Sequence, residues 1–356
     1  MTIKAVADRA QVSTATVSRV MNGTAKVSPR TAERVQRAIK ALNFFPDTNA
    51  RALGSGRSHL FGLIISDITN PFFPELVKAF EDIAVLHRQD VLIGNTNYDQ
   101  ERMQICAQRM LQRRVDGVAI MTSEMDDKLV KDFSERAIPL VFLDSATAGP
   151  GVSRVQIDYS AGIAEAMEHL IELGHRRIAF ISGPLRLQSA QMRYKAFVES
   201  AAHDHLDSDP RLMAEGNHKV DGGHDAMARI LASGVKPTAI LTSNDLTAIG
   251  AMGAIAEAGL HVPQDISVIG YDDIQLSAFT MPPLTTVSLP RAEIATAAFR
   301  ALWSAIKSDG KKPVTGTDCL VRPRLVVRGS TAPVKRSQAV TKTPLKMSVK
   351  KQESGV

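Results

Sequence analysis

Cysteine is nearly absent, since Cys106 and Cys319 are the only two in 356 residues. They lie far apart and in no metal-ligand spacing, so neither a disulfide framework nor a zinc site is implied, and both are expected as buried small hydrophobes. No apolar run approaches the ~20 residues needed to span a bilayer, and the N-terminus lacks the apolar core of a secretion signal. A cytoplasmic protein with no membrane partner is expected. Catalytic signatures are missing as well. There is no Gly-x-x-x-x-Gly-Lys loop, no Gly-x-Gly-x-x-Gly after a strand, and no His-x-x-x-His pair on a helix. Such sets cradle phosphates or bind catalytic metal. Their absence speaks against an enzyme and against a cofactor or metal.

What the chain does have is an uneven distribution of charge. Residues 1–58 hold ten basic side chains against three acidic, and the stretch from Ala332 onward holds six against one. With +6 for the whole chain, residues 59–331 carry a net −6. Attraction to the phosphate backbone supplies most non-specific DNA affinity, so a basic head suits a nucleic-acid reader, with an ordinary solvated surface as the plain alternative.

The head reads as three short helices. Thr2 can cap a first helix in which Ile3, Val6, Ala7 and Ala10 recur at helical spacing. Gln11-Val12-Ser13 turns the chain into a second helix with Val17, Val20 and Met21 inward. Thr14, Ala15, Ser18 and Arg19 lie on its other face, where short or forked side chains can enter a major groove. Asn22-Gly23 would end it. Ser28 as N-cap and Pro29 as first helical residue open a third helix, whose Ala32, Val35, Ile39 and Leu42 would close the core. A small helical domain without DNA readout would show similar stripes.

Residues 49–57, Asn-Ala-Arg-Ala-Leu-Gly-Ser-Gly-Arg, are fewer than the ~12 at which an isolated helix becomes marginal. This segment is either a flexible linker or a hinge that folds on DNA, with Leu53 as a wedge in the minor groove.

From Leu60 the pattern changes to apolar runs alternating with helices. The runs are Leu60–Ile65, Val91–Ile93, Gly117–Met121, Pro139–Leu143, Arg177–Ile181, Ala239–Thr242 and Ser267–Gly270. Continuous runs at this spacing predict parallel sheets covered on both faces. Residues 115–121 with 138–144 echo residues 237–242 with 266–272, each a strand, a helix and a strand ending at an acid. The fold class expected is an all-α helix-turn-helix head with a two-lobed α/β body resembling a clamshell sensor. Ligands of open α/β sheets bind beyond the carboxyl ends of strands.

Seven motifs occur in order: Val12-Ser-Thr-Ala-Thr-Val-Ser-Arg-Val-Met-Asn22, Ala50-Arg-Ala-Leu-Gly54, Ile68-Thr-Asn-Pro-Phe-Phe73, Leu173-Gly-His-Arg-Arg-Ile178, Asn244-Asp245, Ile266–Asp273 and Pro282-Pro-Leu-Thr-Thr286. Together they resemble the lactose/galactose-repressor family of bacterial transcription regulators over residues 2 to 331. The resemblance implies domains at 1–46 (helix-turn-helix), 47–58 (hinge), and 59–331 (effector binding and dimerisation). Its N-lobe would be about 59–159 and 291–331, its C-lobe about 160–290. A basic disordered tail at 332–356 would follow. It implies a homodimer binding double-stranded operator DNA under control of a small sugar or nucleoside-like effector.

By position, the resemblance makes Thr14, Ala15 and Arg19 base readers, and Thr16, Ser18 and Asn22 phosphate or support positions. Arg51 joins the DNA contacts and Leu53 becomes the intercalating residue. Phe72, Phe73, Ser189, Arg193, His218, Asn244 and Asp272 match effector positions. His218 departs from the family, standing where relatives have a stacking Phe or Trp, and an imidazole can charge near neutral pH. Leu187 replaces the arginine of purine-sensing relatives. A solute-binding protein, or a sugar sensor without specific DNA readout, would share the body but leave the basic head unexplained.

Overall fold

The computed structural model describes residues 2–22, 27–44, 57–122, 125–144, 148–307 and 315–334, and for Asn22 the backbone alone. The expected hinge residues Arg51 and Leu53 lie outside these. The head forms α1 (Ile3–Ala10), α2 (Thr14–Asn22) and α3 (Pro29–Ala41). Thr2 caps α1 by accepting from the Ala5 N–H at 3.4 Å, and Gln11 closes it in the left-handed region at φ 50°. Ser13 Oγ accepts from the Thr16 N–H at 3.2 Å, and Ser28 Oγ from the Thr31 N–H at 3.3 Å. Each cap satisfies a helical N–H that has no partner within its own helix. Val6, Ala7, Ala10, Val17, Val35, Ala38 and Phe44 are buried, with Val20, Met21, Ile39 and Leu42 packed against them. Ala32, expected inside, is only half-buried. Ala38, one turn from Val35 and Leu42, takes that place.

The body contains two six-stranded sheets. The first runs β11 (Asp318–Val321), β5 (Val152–Ile157), β4 (Leu140–Leu143), β3 (Gly117–Met121), β1 (Leu60–Ile65), β2 (Asp90–Asn95). The second runs β12 (Arg324–Val326), β10 (Thr285–Ser288), β9 (Ser267–Asp272), β8 (Ala239–Thr242), β6 (Ile178–Ser182), β7 (Met213–Glu215). One order is the other repeated, so the internal echo of the sequence is a repeated topology. β1 pairs in parallel with β2 and β3, and β6 with β7 and β8. In each sheet the first strand therefore has its successor on one side and the next strand on the other. That is a switch point in strand order, and open α/β sheets place ligands outside the carboxyl ends of the strands there.

Contacts group the chain into two units. One contains the described residues within 1–69, 73–156 and 291–319, and the other those within 70–72, 157–290 and 320–334. This revises the expected lobe boundary at its C-terminal end. β12 pairs antiparallel with β10, Thr286 opposite Val326, so residues 320–334 belong with the second sheet. The start of the expected disordered tail is fixed as well. Ala332 N–H donates to Ser267 Oγ at 3.1 Å, and Val334 N–H donates to the Leu173 carbonyl at 3.0 Å. Cys106 is buried as expected, but Cys319 is only half-buried. Among the described residues no helix is long and apolar enough to cross a membrane.

Candidate functional site

On α2 the exposed residues are Thr14, Ala15 and Arg19, with Thr16 and Ser18 half-buried beside the fully buried Val17. The Thr16 hydroxyl lies 3.0 Å from Ser13 Oγ, so it braces the start of the helix. No carboxylate sits in the first turn of α2, which leaves the positive end of the helix dipole open to a phosphate. A short helix, held by its neighbours and presenting Thr, Ala and Arg outward, has the form of a major-groove reader.

Within the second unit, polar residues gather where strands end. Ser182 closes β6, Ser243 and Asn244 follow β8, Asp272 closes β9, and His218 lies between β7 and the helix Val220–Ala232. Arg193 comes from the helix Gln188–His203 and is 6% exposed. Its guanidinium carbon lies 5.2 Å from the Tyr159 ring centre and 5.1 Å from that of Tyr271. Its Nε donates to the Ser189 carbonyl at 3.2 Å, and Nη1 lies 3.7 Å from Asp272 Oδ1. Two ring faces, a carbonyl and a carboxylate thus fix a planar fork in place.

His218 is equally buried, with Nε2 2.6 Å from Ser243 Oγ. Burial, with Arg193 adding its repulsion, pushes the imidazole down to about 3. The ring stays neutral at physiological pH, which corrects the expectation that it charges near neutrality. A Cβ on Gly183 would fall 1.8 Å from His218 Nε2, so only glycine leaves room for the ring.

Asn244 and Asp245 knit this region together. Asn244 Oδ1 accepts from the Thr247 N–H at 2.9 Å and from its hydroxyl at 2.6 Å, while Nδ2 donates to the His218 carbonyl at 3.0 Å. Asn244 is thereby the N-cap of the helix Asp245–Glu257 and a clasp on the His218 turn. Asp245, fully buried, accepts from the Thr286 hydroxyl at 2.5 Å and from the Ile274 N–H at 2.8 Å. Burial and the neighbouring Asp272 charge raise its carboxyl well above the usual range.

The structure therefore brings Arg193, His218, Asn244 and Asp272 into one cluster, with Ser189 entering through its carbonyl. Phe72 and Phe73 are buried in the first turn of the helix Phe72–Leu86, where Asn70 Oδ1 accepts from the Phe72 N–H at 3.1 Å. Tyr159, Tyr271, Ser243, Gly183 and Asp245 were not singled out from the sequence as site residues. Tyr271 and Asp245 lie inside quoted motifs, but Tyr159 carries no local signal. Among the described residues no group of three could hold a metal ion. Fixed donors and acceptors of this kind reward hydroxyl geometry in a small ligand.

Residues 2–47 match the family described as bacterial regulatory proteins, lacI family, and residues 167–331 match the periplasmic binding protein-like domain. The chain is 34% identical over 332 residues to the HTH-type transcriptional repressor PurR of Mannheimia succiniciproducens, covering 92% of this chain and 98% of that protein. It is 36% identical over 303 residues to the ribose operon repressor of Escherichia coli, covering 85% and 92%. The solved lac repressor dimer bound to operator and an anti-inducer superposes with a TM-score of 0.80 at 30% identity, covering 93% of this chain and 99% of that one.

Proposed function

We propose, from the premise that this chain belongs to the lacI family of bacterial regulatory proteins, that it is a transcriptional repressor without catalytic activity. It binds a palindromic operator as a homodimer and senses a small hydroxylated effector, of sugar or nucleoside type. The observation that carries the reading is α2, a folded helix that turns Thr14, Ala15 and Arg19 to solvent. Arg19 can fork onto guanine O6 and N7, and Ala15 can pack on a thymine methyl. Thr16, Ser18 and Asn22 serve as phosphate or support positions, with Arg51 as a further DNA contact. Leu53 opens the central step of the operator from the minor groove.

The effector is held by Arg193 and Asp272, with His218, Ser189, Asn244, Phe72 and Phe73 completing its surroundings. Because His218 is neutral, it offers a hydrogen bond rather than a charge. Effector binding changes operator affinity by the ~1–3 kcal/mol typical of coupled sites, and DNA changes effector affinity by the same factor.

Selection of random duplexes by the purified protein, with sequencing of the retained pool, tests the DNA reading. A palindrome recovered by the wild type and lost by Arg19→Ala supports it. A pool with no enriched motif leaves a sugar-binding sensor without specific readout as the better description.

A further inference from the structure

Asp272 and Asp273 both have positive φ, 107° and 55°. Side chains other than glycine rarely adopt that conformation, so two such residues in succession persist only where the surroundings hold them. One anchor is Asp245, whose carboxylate takes the Ile274 N–H. The other comes from far along the chain. Arg328 Nη2 donates to Asp273 Oδ1 at 2.7 Å, and its Nη1 donates to the Leu284 carbonyl at 2.9 Å and to Ser277 Oγ at 3.1 Å. The Arg328 backbone N–H donates to Thr285 Oγ1 at 2.9 Å. The ion pair is mostly shielded, with side-chain exposures of 20% and 19%.

We infer that Arg328 is a positioning residue for effector recognition: by holding Asp273 against Leu284 and Ser277, it keeps the Asp272 carboxylate turned toward Arg193. The inference rests on the reading of Asp272 as an effector contact. A guanidinium suits the task because its rigid fork satisfies a carboxylate, a carbonyl and a hydroxyl from one plane. A lysine ammonium can keep the charge pair with Asp273 but cannot reproduce that spread. The Ser277 hydroxyl closes the arrangement by donating to the Ile274 carbonyl at 2.7 Å. Ile274, the residue after the aspartate pair, is thereby held at both its N–H and its carbonyl.

The test uses full-length Arg328→Met, Arg328→Lys and Asp273→Asn. Each is crystallised without ligand and titrated calorimetrically with D-ribose and with adenosine, with melting temperature read alongside. Loss of the brace is expected to release Asp272 from positive φ and to widen the Arg193 to Asp272 separation beyond 3.7 Å. Affinity for whichever probe binds the wild type should fall about tenfold or more, the scale of a lost charge-assisted hydrogen bond. Arg328→Lys should recover part of both losses.

Unchanged Asp272 geometry and unchanged probe affinity in a folded Arg328→Met or Asp273→Asn protein would overturn the inference, whatever the melting temperature does. If Arg328→Met fails to fold, Asp273→Asn, which removes the charge from the other side, decides. If neither probe binds the wild type, the effector reading loses its support, while the ligand-free crystal geometry still decides the role of Arg328.

Discussion

Gly183 and His218 fit each other by volume, and that fit is open to experiment. Gly183→Ala would place a methyl 1.8 Å from the present position of His218 Nε2. The buried ring would have to leave Ser243. Overpacking of this sort costs about 1–3 kcal/mol, which urea denaturation would show as a lower midpoint with unchanged slope. The neutral state of His218 has its own consequence. Effector affinity should be flat between pH 6 and 8 as far as this ring is concerned, because its folded pKa of about 3 lies below that window. Asp272 was legible in the sequence because it sits inside the motif Ile266–Asp273, and Arg193 because it matches a family effector position. Arg328 was not, and Asp245 was visible only as part of a motif and not in its role, because what they hold is set by partners 55 and 29 residues away.

The strands legible without the structure are those with uninterrupted apolar runs: Leu60–Ile65, Gly117–Met121 and Ala239–Thr242 have the same limits in sequence and structure. β5 was missed because its burial alternates along Val-Ser-Arg-Val-Gln-Ile, as it does in strands not enclosed on both faces. The helix Arg291–Lys307 was not picked out either. Its buried residues Ile294, Ala295, Ala298, Phe299, Ala301 and Leu302 nonetheless lie on one face, three of them alanines that add little to an apolar stripe.

Close helix packing gives a prediction at the same scale. A Cβ on Gly250 would meet the Val220 carbonyl at 1.9 Å, so the helices Val220–Ala232 and Asp245–Glu257 approach there backbone to backbone. Gly250→Ala should destabilise by about 3 kcal/mol or more, since neither backbone can move aside alone. Helix propensity by itself would favour alanine. A thermal melt equal to or above that of the wild type would show that the two helices can separate at little cost.

For the molecule as a whole, buried histidines set the response to acid. His175 is 2% exposed, with Nδ1 3.0 Å from Thr238 Oγ1 and Nε2 3.0 Å from the Ala332 carbonyl. Burial lowers the pKa values of His169, His175 and His218. A lowered histidine is neutral when folded and takes up a proton when unfolded. Its stabilising contribution is therefore complete above the unfolded value near 6.5 and is lost as pH falls toward the folded value. Each fully buried histidine contributes a slope of up to about 1.4 kcal/mol per pH unit in that window. Asp245, shifted upward, acts in the opposite sense, favouring the fold at low pH and less so as pH rises through its folded value. Melts from pH 7.5 to 5.0 should show falling stability in the wild type and a shallower fall in His175→Gln.

The charge pattern bears on function at the same scale. A head carrying +7 within a chain of net +6 should make DNA binding strongly dependent on salt. Sequence reading by α2 is tested by fluorescence anisotropy at two salt concentrations. The wild type and Arg19→Ala would each be titrated with a selected palindromic duplex and with a scrambled one. The wild type should favour the palindrome by about a thousandfold or more, while Arg19→Ala should lose most of that preference and keep its weak binding to the scrambled duplex. Equal affinity of the wild type for both duplexes, or a preference untouched by Arg19→Ala, would contradict the account.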